Sequence, residues 1–302
     1  MKSIDFNGII PAIAVPFARD FAIDELELRR FAQWLAGQPG ITALMTNGHT
    51  GEVFSLTPRE RAEVTRMTAS AVGGQCPVIS SIVCEGIKDA VEQAQWAKDA
   101  GATGLDIMPQ HCLDYFNAIG EAVNLPLIVH IYPAWTRGSY PTSLLADLAK
   151  LPHVAAFKMG EREMNKYARD IAAIREANAG KALLTCHDEY LLASMVQGID
   201  GALVGFASLV PGLIYGLLKA VKAGNLDEAM RLQALITPLK DAVYGAGEPT
   251  GEAHGRMKAA MALAGILREG TVRPPTHAPS AAELETIRRA LQHAGLLKRA
   301  AA

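Results

Sequence analysis

Cysteine is scarce in this sequence, and the few cysteines are far apart. Cys76, Cys84, Cys112 and Cys186 form no C-x-x-C pair within 302 residues. Dense, regularly spaced cysteines are typical of disulfide-stapled domains and structural zinc sites, so this usage argues against both classes. It fits a reducing compartment, and we expect the protein to be cytoplasmic.

The sequence also lacks an excess of charge of either sign and a long apolar run. It has 29 Lys and Arg against 31 Asp and Glu, so its charge predicts no nucleic-acid partner. The first residues contain no cationic segment followed by an apolar one, and the uncharged stretch 201–218 is interrupted by Pro211 and several glycines. We therefore expect neither a signal peptide nor a contact with a membrane.

Aromatic residues make up only 6% of the chain, yet 50% of it is hydrophobic, which indicates a sizeable core. Short apolar runs alternate with amphipathic stretches, as in a parallel sheet covered by helices. The strand-like runs are 8–17, 43–48, 77–84, 104–109, 126–133, 154–160, 182–188 and 201–207, and helical stretches between them include 24–36, 57–72, 88–100, 141–150, 163–177 and 211–223. This pattern predicts an α/β fold, a (β/α)8 TIM barrel, with a doubly wound open sheet as the rival.

The strand signal disappears after Gly224, and three helical stretches follow at 226–243, 250–268 and 280–297. Ser280 and Glu283 form a capping pattern at the start of the last one. We expect a catalytic barrel over residues 1–224 and a C-terminal helical extension over residues 225–302. These helices could pack on the barrel or build an oligomer interface.

Lys158 is the most unusual residue of the strand-like runs. It lies in the otherwise apolar segment Val154–Met159, and the two-residue period of a strand places it on the face of Val154 and Ala156. If that face lines the barrel, burial lowers the pKa of the lysine and yields the neutral amine that attacks a ketone. The alternative is a lysine that reaches solvent or pairs with a carboxylate.

Other polar residues follow predicted strands, where barrel enzymes carry their catalytic groups. The phenol of Tyr132 can move a proton, or the residue can simply bury its ring. Glycines, of which Gly48 is the first, flank His49 and Thr50, so backbone N–H groups there can converge on a carboxylate. Arg137 can clamp a second carboxylate or remain a solvated loop residue.

His187 and Asp188 raise the alternative of a metal-dependent lyase. Consecutive residues of an extended chain point to opposite faces, and the sequence places no further ligand at a suitable spacing. We therefore expect no metal there. His153 and His254 lack any such context and are predicted to be structural or surface residues.

Together these features resemble the dihydrodipicolinate synthase and N-acetylneuraminate lyase family over nearly the whole chain. The similar segments are residues 11–17, the G-x-x-G-E element at 48–52 with 55–57 behind it, Tyr132 with Arg137 five residues on, Lys158, and residues 201–205. The resemblance implies a TIM barrel with a C-terminal helical region, a Schiff-base lysine on the sixth strand, and a homo-oligomer, either tetramer or dimer.

The resemblance also implies the roles of individual residues. Lys158 would form the imine with a 2-keto acid and Tyr132 would move protons. The predicted substrate contacts are Gly48, His49, Thr50, Arg137 and Val204. No metal and no organic cofactor are implied, because the iminium itself serves as the electron sink.

Three departures from the family pattern bear on the substrate. Dihydrodipicolinate synthases usually carry G-T-T-G-E, whereas His49 here replaces the first threonine and would interrupt a relay of hydroxyls. Residues 108–111 read M-P-Q-H where those enzymes carry a tyrosine pair, and Pro133 replaces an asparagine. We therefore predict a Schiff-base lyase, an aldolase or dehydratase, that acts on pyruvate or a 2-keto(-3-deoxy) acid with an aldehyde as co-substrate or product.

Two alternatives stay open beside this prediction. One is an authentic 4-hydroxy-tetrahydrodipicolinate synthase, which condenses pyruvate with aspartate semialdehyde. The other is a barrel that binds a keto acid without turning it over, which the altered relay at His49 would explain.

Overall fold

The computed structural model describes residues 3–108, 113–133, 140–245 and 251–297. Its centre is a sheet of eight parallel strands, in the order β1-β8-β7-β6-β5-β4-β3-β2. The strands are β1 Ile9–Pro11, β2 Leu44–Thr46, β3 Val78–Val83, β4 Gly104–Met108, β5 Leu127–Ile131, β6 Val154–Met159, β7 Ala182–Thr185 and β8 Gly201–Val204. They are shorter than the sequence pattern predicts, partly because proline ends or interrupts several runs and cannot donate to the ladder.

Backbone hydrogen bonds between the first and second strands close the sheet into a barrel. The N–H of Thr42 donates to the carbonyl of Ile9 at 3.0 Å, and the N–H of Ile13 donates to that of Met45 at 2.9 Å. Closure leaves no exposed edge. The (β/α)8 prediction is therefore confirmed and the open sheet is excluded.

Helices cover the outside of the barrel. They are α1 Glu25–Ala36, α2 Pro58–Val72, α3 Ile87–Asp99, α4 Leu113–Val123, α5 Thr142–Lys150, α6 Met164–Ala177, α7 Leu191–Met195 and α8 Pro211–Lys222. Short 3₁₀ turns at His49–Gly51 and Val53–Ser55 follow β2. The capping box predicted at Thr57 and Glu60 starts α2, with Pro58 as its first residue.

Three more helices, α9 Leu226–Tyr244, α10 Gly251–Leu263 and α11 Ala281–His293, form the C-terminal region. The Ser280 and Glu283 capping box begins the last of them. Helix α9 packs against α8, and α10 contacts the 3₁₀ turn at His49–Gly51. In the part of the chain that is described, every helix is too short or too polar to cross a bilayer.

The strands divide the core into two layers. Inside the barrel are small and branched residues that include Ile10, Met45, Ile128, Ala156 and Leu203. Between the barrel and the helices lies the larger layer, which includes Val129, Ile131, Phe157 and Met159. Alternation along β5 and β6 thus points His130 and Lys158 inward, beside each other in register.

A register shift between β5 and β6 corrects one detail of the sequence prediction. Leu127 pairs with Val154 but Ile128 pairs with Ala156, so one residue of β6 is left out of the ladder. Val154 consequently belongs to the outer layer, whereas Ala156 and Lys158 face the interior. The bulge therefore alters the face of Val154 without altering that of the lysine.

Candidate active site

A cavity lies at the C-terminal ends of the strands and brings several predicted residues together. Its lining comprises Ala12, His49, Thr50, His130, Tyr132, Lys158, Arg162, Cys186, Asp188, Glu189, Leu203, Gly205, Tyr244, His254 and Met257. Charged and polar groups therefore outnumber apolar ones at this mouth. Such an arrangement is typical of barrel active sites.

Lys158 reaches the cavity from the end of β6. Only 6% of the residue is exposed, so its amine lies inside the barrel and not in bulk solvent. This placement excludes the lysine that extends to the surface. An interior amine at a strand end has the position that nucleophilic catalysis requires.

Tyr132 directly follows β5, so its ring enters the cavity next to the lysine strand. It stacks on the His130 ring with centroids 5.6 Å apart and meets the His49 ring edge-on at 5.3 Å. Burial raises the pKa of Tyr132, while the nearby charge of Arg162 and a hydrogen bond with it act in the opposite direction. The phenol is therefore protonated at neutral pH and can donate a proton.

His49 and Thr50 lie in the 3₁₀ turn that follows β2. Burial holds the pKa of His49 well below its ordinary value, and electrostatic interactions with His130, Lys158 and His254 add to this effect. The imidazole is therefore neutral. Thr50 packs directly against Gly205, where an added Cβ would collide with its hydroxyl.

Two residues that were predicted to contact the substrate, Val204 and Gly48, do not line the cavity. Val204 ends β8 with its side chain in the outer core, so the neighbouring Leu203 and Gly205 line the cavity instead. Gly48 does not line it either, and an added Cβ there would lie 2.6 Å from Met45 Cε, which gives this glycine a packing role. Arg137 lies outside the described residues.

Arg162 and Glu189 are lining residues that the sequence did not reveal. They form an ion pair of 2.9 Å across the mouth, and the guanidinium carbon of Arg162 lies 5.3 Å from the centre of the Tyr132 ring. The two residues come from the loops that follow β6 and β7. Only the barrel geometry brings them together, because they are 27 positions apart along the chain.

Asp188 is held by two donors at the back of the cavity. Its carboxylate accepts a hydrogen bond from Tyr244 Oη at 2.6 Å and one from the Phe206 N–H at 3.2 Å. Burial raises the pKa of Asp188 to about 7, although the bond from Tyr244 works against the shift. A carboxyl group that titrates near neutrality can serve as an acid or a base.

A second carboxylate, Asp106, lies deeper in the barrel on β4. Its Oδ2 accepts a hydrogen bond from Ser81 Oγ at 2.6 Å and lies 3.0 Å from Nδ1 of His130. Burial alone would raise the pKa of Asp106. The electrostatic interactions with His130 and Lys158 and the two hydrogen bonds outweigh it and hold the pKa at about 2.

Two histidines outside these strands, His254 and His187, differ in whether they line the cavity. His254 was predicted to be structural or on the surface, but α10 carries it into the cavity lining. His187 packs against Tyr167 and Tyr190 and does not line the cavity. No cluster of three His, Cys, Asp or Glu residues suited to a metal ion occurs within the described ranges.

Comparison with known sequences decides the family. The profile of the Dihydrodipicolinate synthetase family matches residues 5–294. The chain belongs to this family. Members of the family are lyases that act through a class I Schiff base, and this protein is a lyase of that kind.

Relatives and solved structures agree with this assignment. The chain is 29% identical over 300 residues to a 4-hydroxy-tetrahydrodipicolinate synthase of Rhodospirillum centenum, covering 97% of this chain and 99% of the relative. The fold matches the crystal structure of the dihydrodipicolinate synthase of Thermotoga maritima with a TM-score of 0.88 at 23% identity, covering 97% and 99% of the two chains. It also matches YagE of Escherichia coli K12, described in complex with pyruvate, with a TM-score of 0.87 at 23% identity and the same coverage.

Proposed function

We propose that Lys158 is the Schiff-base lysine of this lyase and that its substrate is pyruvate or a 2-keto(-3-deoxy) acid. The observation that carries the proposal is the position of Lys158, buried at the C-terminal end of β6 inside a polar cavity with Tyr132. In a family of Schiff-base lyases, the lysine of the imine must lie at such a point. Lys158 fulfils this requirement.

The chemistry follows from the lysine and the phenol. The amine of Lys158 attacks the keto carbon, water leaves, and an iminium forms. The iminium accepts the electron pair of the bond between C3 and C4 as that bond breaks, which releases an aldehyde and leaves an enamine. In a dehydratase, loss of a proton from C3 forms the enamine, which then expels a hydroxyl as water. Tyr132 supplies or removes the protons in either case.

The substrate carboxylate is assigned to the turn with His49 and Thr50. These residues line the cavity on the β2 side, and the neutral imidazole can donate a hydrogen bond without a counter-ion. The rest of the substrate then faces the side of the cavity formed by Arg162, Asp188 and Glu189. We place the aldehyde portion there.

An aldolase or dehydratase is favoured over the condensation with aspartate semialdehyde. The His49 ring stands against Tyr132 where a threonine hydroxyl would continue a relay, so Tyr132 has an aromatic neighbour in place of a hydroxyl on that side. Instead the phenol has Arg162 as a neighbour. Comparable turnover of pyruvate with aspartate semialdehyde and with other aldehydes would contradict this preference.

Borohydride trapping tests the proposal. The protein is incubated with pyruvate or a 2-keto-3-deoxy sugar acid and sodium borohydride, and the adduct is located by intact-protein mass spectrometry and peptide mapping. We expect a reduced adduct on Lys158 and none in Lys158→Ala. Lys150→Ala, which removes an exposed lysine paired with Asp147, is the matched control and should trap normally.

The outcomes separate the proposal from its rivals. An adduct on another lysine would refute the role of Lys158. Binding of these keto acids without any adduct would indicate a non-catalytic keto-acid-binding barrel. Sensitivity to EDTA would revive the metal-dependent alternative.

We also propose that the protein is a homo-oligomer, a dimer or tetramer. Tyr190, Val196, Leu226 and Met230 are large apolar residues that are exposed in the single chain, on or beside helices α7 and α9. Those helices contact each other, so the four residues can form one surface. Light scattering after gel filtration tests this, with Met230→Glu expected to lower the mass and a monomeric wild type contradicting it.

A further inference from the structure

Asp106 and His130 form a polar pair in the interior of the barrel. Asp106 is completely buried and His130 is 1% exposed, and they come from the adjacent strands β4 and β5. Their side chains meet between Oδ2 and Nδ1 at 3.0 Å. The interior residues Ile79, Ile128 and Leu184 are apolar, whereas Ser81, Lys158 and Cys186 bring polar groups to the pair.

The contacts of the pair fix the protonation of the imidazole. Asp106 is held as a carboxylate and can only accept hydrogen bonds, so Nδ1 of His130 must carry the proton. Burial and Lys158 lower the pKa of His130 against the opposing effect of Asp106, which favours the neutral imidazole with Nε2 unprotonated. Nε2 accepts a weak hydrogen bond from the Cys186 thiol at 3.8 Å, and His130 lines the cavity.

The pair lies beside the proposed nucleophile. His130 and Lys158 are partners in register on β5 and β6, and both side chains point into the barrel. Asp106 Oδ1 accepts no hydrogen bond from any described residue, and Lys158 contributes to the low pKa of this carboxyl. The titratable groups that face His130 are Asp106 on β4, Lys158 on β6, Cys186 after β7, His49 after β2, and Tyr132 directly after β5.

A buried pair with a purely structural role would be energetically unfavourable at this position. Two ionisable groups lose their hydration when they are buried, and apolar residues of similar volume are often equally or more stabilising. The strands themselves do not require the pair, because their backbone ladders run through β4, β5 and β6 without it. A chemical role accounts for its presence.

We propose that Asp106 and His130 form a proton-transfer pair for Lys158, with His130 Nε2 as the base and Asp106 as the group that positions it. The inference rests on the proposed Schiff-base role of Lys158. It divides the proton transfers between two residues. His130 moves the proton from the lysine nitrogen to the carbinolamine oxygen, and Tyr132 protonates the hydroxyl that leaves.

The steps balance as follows. The lone pair of the Lys158 amine forms the N–C bond while the electrons of the C=O π bond move to oxygen. His130 Nε2 takes a proton from the resulting ammonium nitrogen and delivers it to that oxygen, which gives a neutral carbinolamine. A proton from Tyr132 then lets the hydroxyl leave as water, and the nitrogen lone pair forms the iminium. The Asp106 carboxylate compensates the new positive charge.

The rate of borohydride trapping tests the role of the pair, whereas the final extent of trapping tests the role of Lys158. We expect His130→Gln to slow adduct formation about 100-fold, the lower range for loss of a general base, while the same adduct still accumulates on Lys158. His153→Gln is the matched control, because His153 precedes the opposite end of β6 and packs against Gly120. It should trap at the wild-type rate.

A second variant keeps the test independent of folding defects. His130→Ala leaves a space for imidazole, and added imidazole should restore trapping with a pH dependence that follows the titration of free imidazole. Asp106→Asn should lower the rate and shift its pH profile, because the tautomer is no longer imposed. Far-UV circular dichroism and thermal unfolding verify that each variant is folded.

Each outcome bears on the pair. Wild-type trapping rates in folded His130→Gln and Asp106→Asn would overturn it while leaving Lys158 as the Schiff-base residue. Slow trapping without rescue by imidazole would reduce the pair to a packing role and overturn the inference. Absence of any adduct in the wild type would instead reject the proposed function, and the pair's role with it.

Discussion

The guanidinium of Arg162 lies over the ring of Tyr132, 5.3 Å from its centre, and is held there by an ion pair of 2.9 Å with Glu189. Arg162 brings a positive charge next to the phenol, whereas the charge of Glu189 acts in the opposite direction. Burial raises the pKa of Tyr132, and Arg162 limits that rise. This relationship makes the acidity of the tyrosine depend on a residue of the loop that follows the lysine strand.

Arg162→Gln should therefore weaken Tyr132 as an acid. Without the positive charge the pKa of the phenol rises further, and we expect kcat to fall about 10-fold with a smaller change in KM. The pH profile of kcat measures this. Arg169→Gln removes an exposed arginine on the nearby helix α6 and should have no effect, and an equal loss in both variants would contradict the prediction.

Asp188 should make stability depend on pH. Its folded pKa of about 7 exceeds its ordinary value of 3.8, so the folded state binds more protons than the unfolded state between these values. The free energy of unfolding should therefore fall through this contribution as the pH rises from about 4 to 7. In Asp188→Asn this contribution is absent.

Urea unfolding of both proteins at pH 5 and pH 8 checks the sign. The variant should gain stability relative to the wild type at the higher pH, by about 2.7 kcal/mol at most, because only the two pH units between 5 and 7 contribute. His187, whose pKa burial lowers to about 4, contributes a slope of opposite sign in both proteins and cancels in the difference. A difference that does not change with pH would refute the assignment.

Glu52 and Lys258 should stabilise the junction of barrel and extension. They form an ion pair in which both side chains are 1% exposed, and Lys258 also donates to the Thr271 carbonyl at 2.9 Å. Lys258→Met leaves Glu52 buried without its charge partner, and we expect a loss of about 3 to 5 kcal/mol in unfolding free energy. Adding Glu52→Gln should recover part of that loss, and denaturant unfolding of the single and double variants measures both.

Gly205→Ala should impair substrate binding at the turn after β2. An added Cβ collides with Thr50, so the proposed carboxylate site must shift. We expect KM for the keto acid to rise about 10-fold, equivalent to about 1.4 kcal/mol. Gly212→Ala, where an added Cβ meets nothing within 4 Å, is the control and should bind normally. Unchanged KM in both would remove Thr50 from the binding site.

Alternation of apolar runs and helices was sufficient to predict the barrel, because each run and each cap is a local property. The meeting of His49, Thr50, Tyr132 and Lys158 in one cavity agrees with the sequence prediction, since all lie at or just beyond strand ends. Their catalytic and binding roles stay predictions. So does the division at residues 224 and 225.

Other residues of the cavity needed tertiary information. Asp106 and His130 interrupt apolar strands, a signal visible in the sequence, but only the strand register shows that they meet. Tyr244 and His254 reach the cavity from helices far along the chain, and no local period predicts such an approach. Val204 was predicted to contact the substrate but faces the outer core. A one-residue difference along a strand is enough to turn a side chain to the other face.

The hydrogen bond from Tyr244 to Asp188 joins residues that are 56 positions apart, and it has a consequence for protein engineering. The C-terminal helices also supply His254 to the cavity and Lys258 to the loop that carries His49. A chimaera that exchanged these helices for those of a relative would therefore replace part of the catalytic pocket. Because the barrel and its helical extension share this cavity, grafting must treat them together.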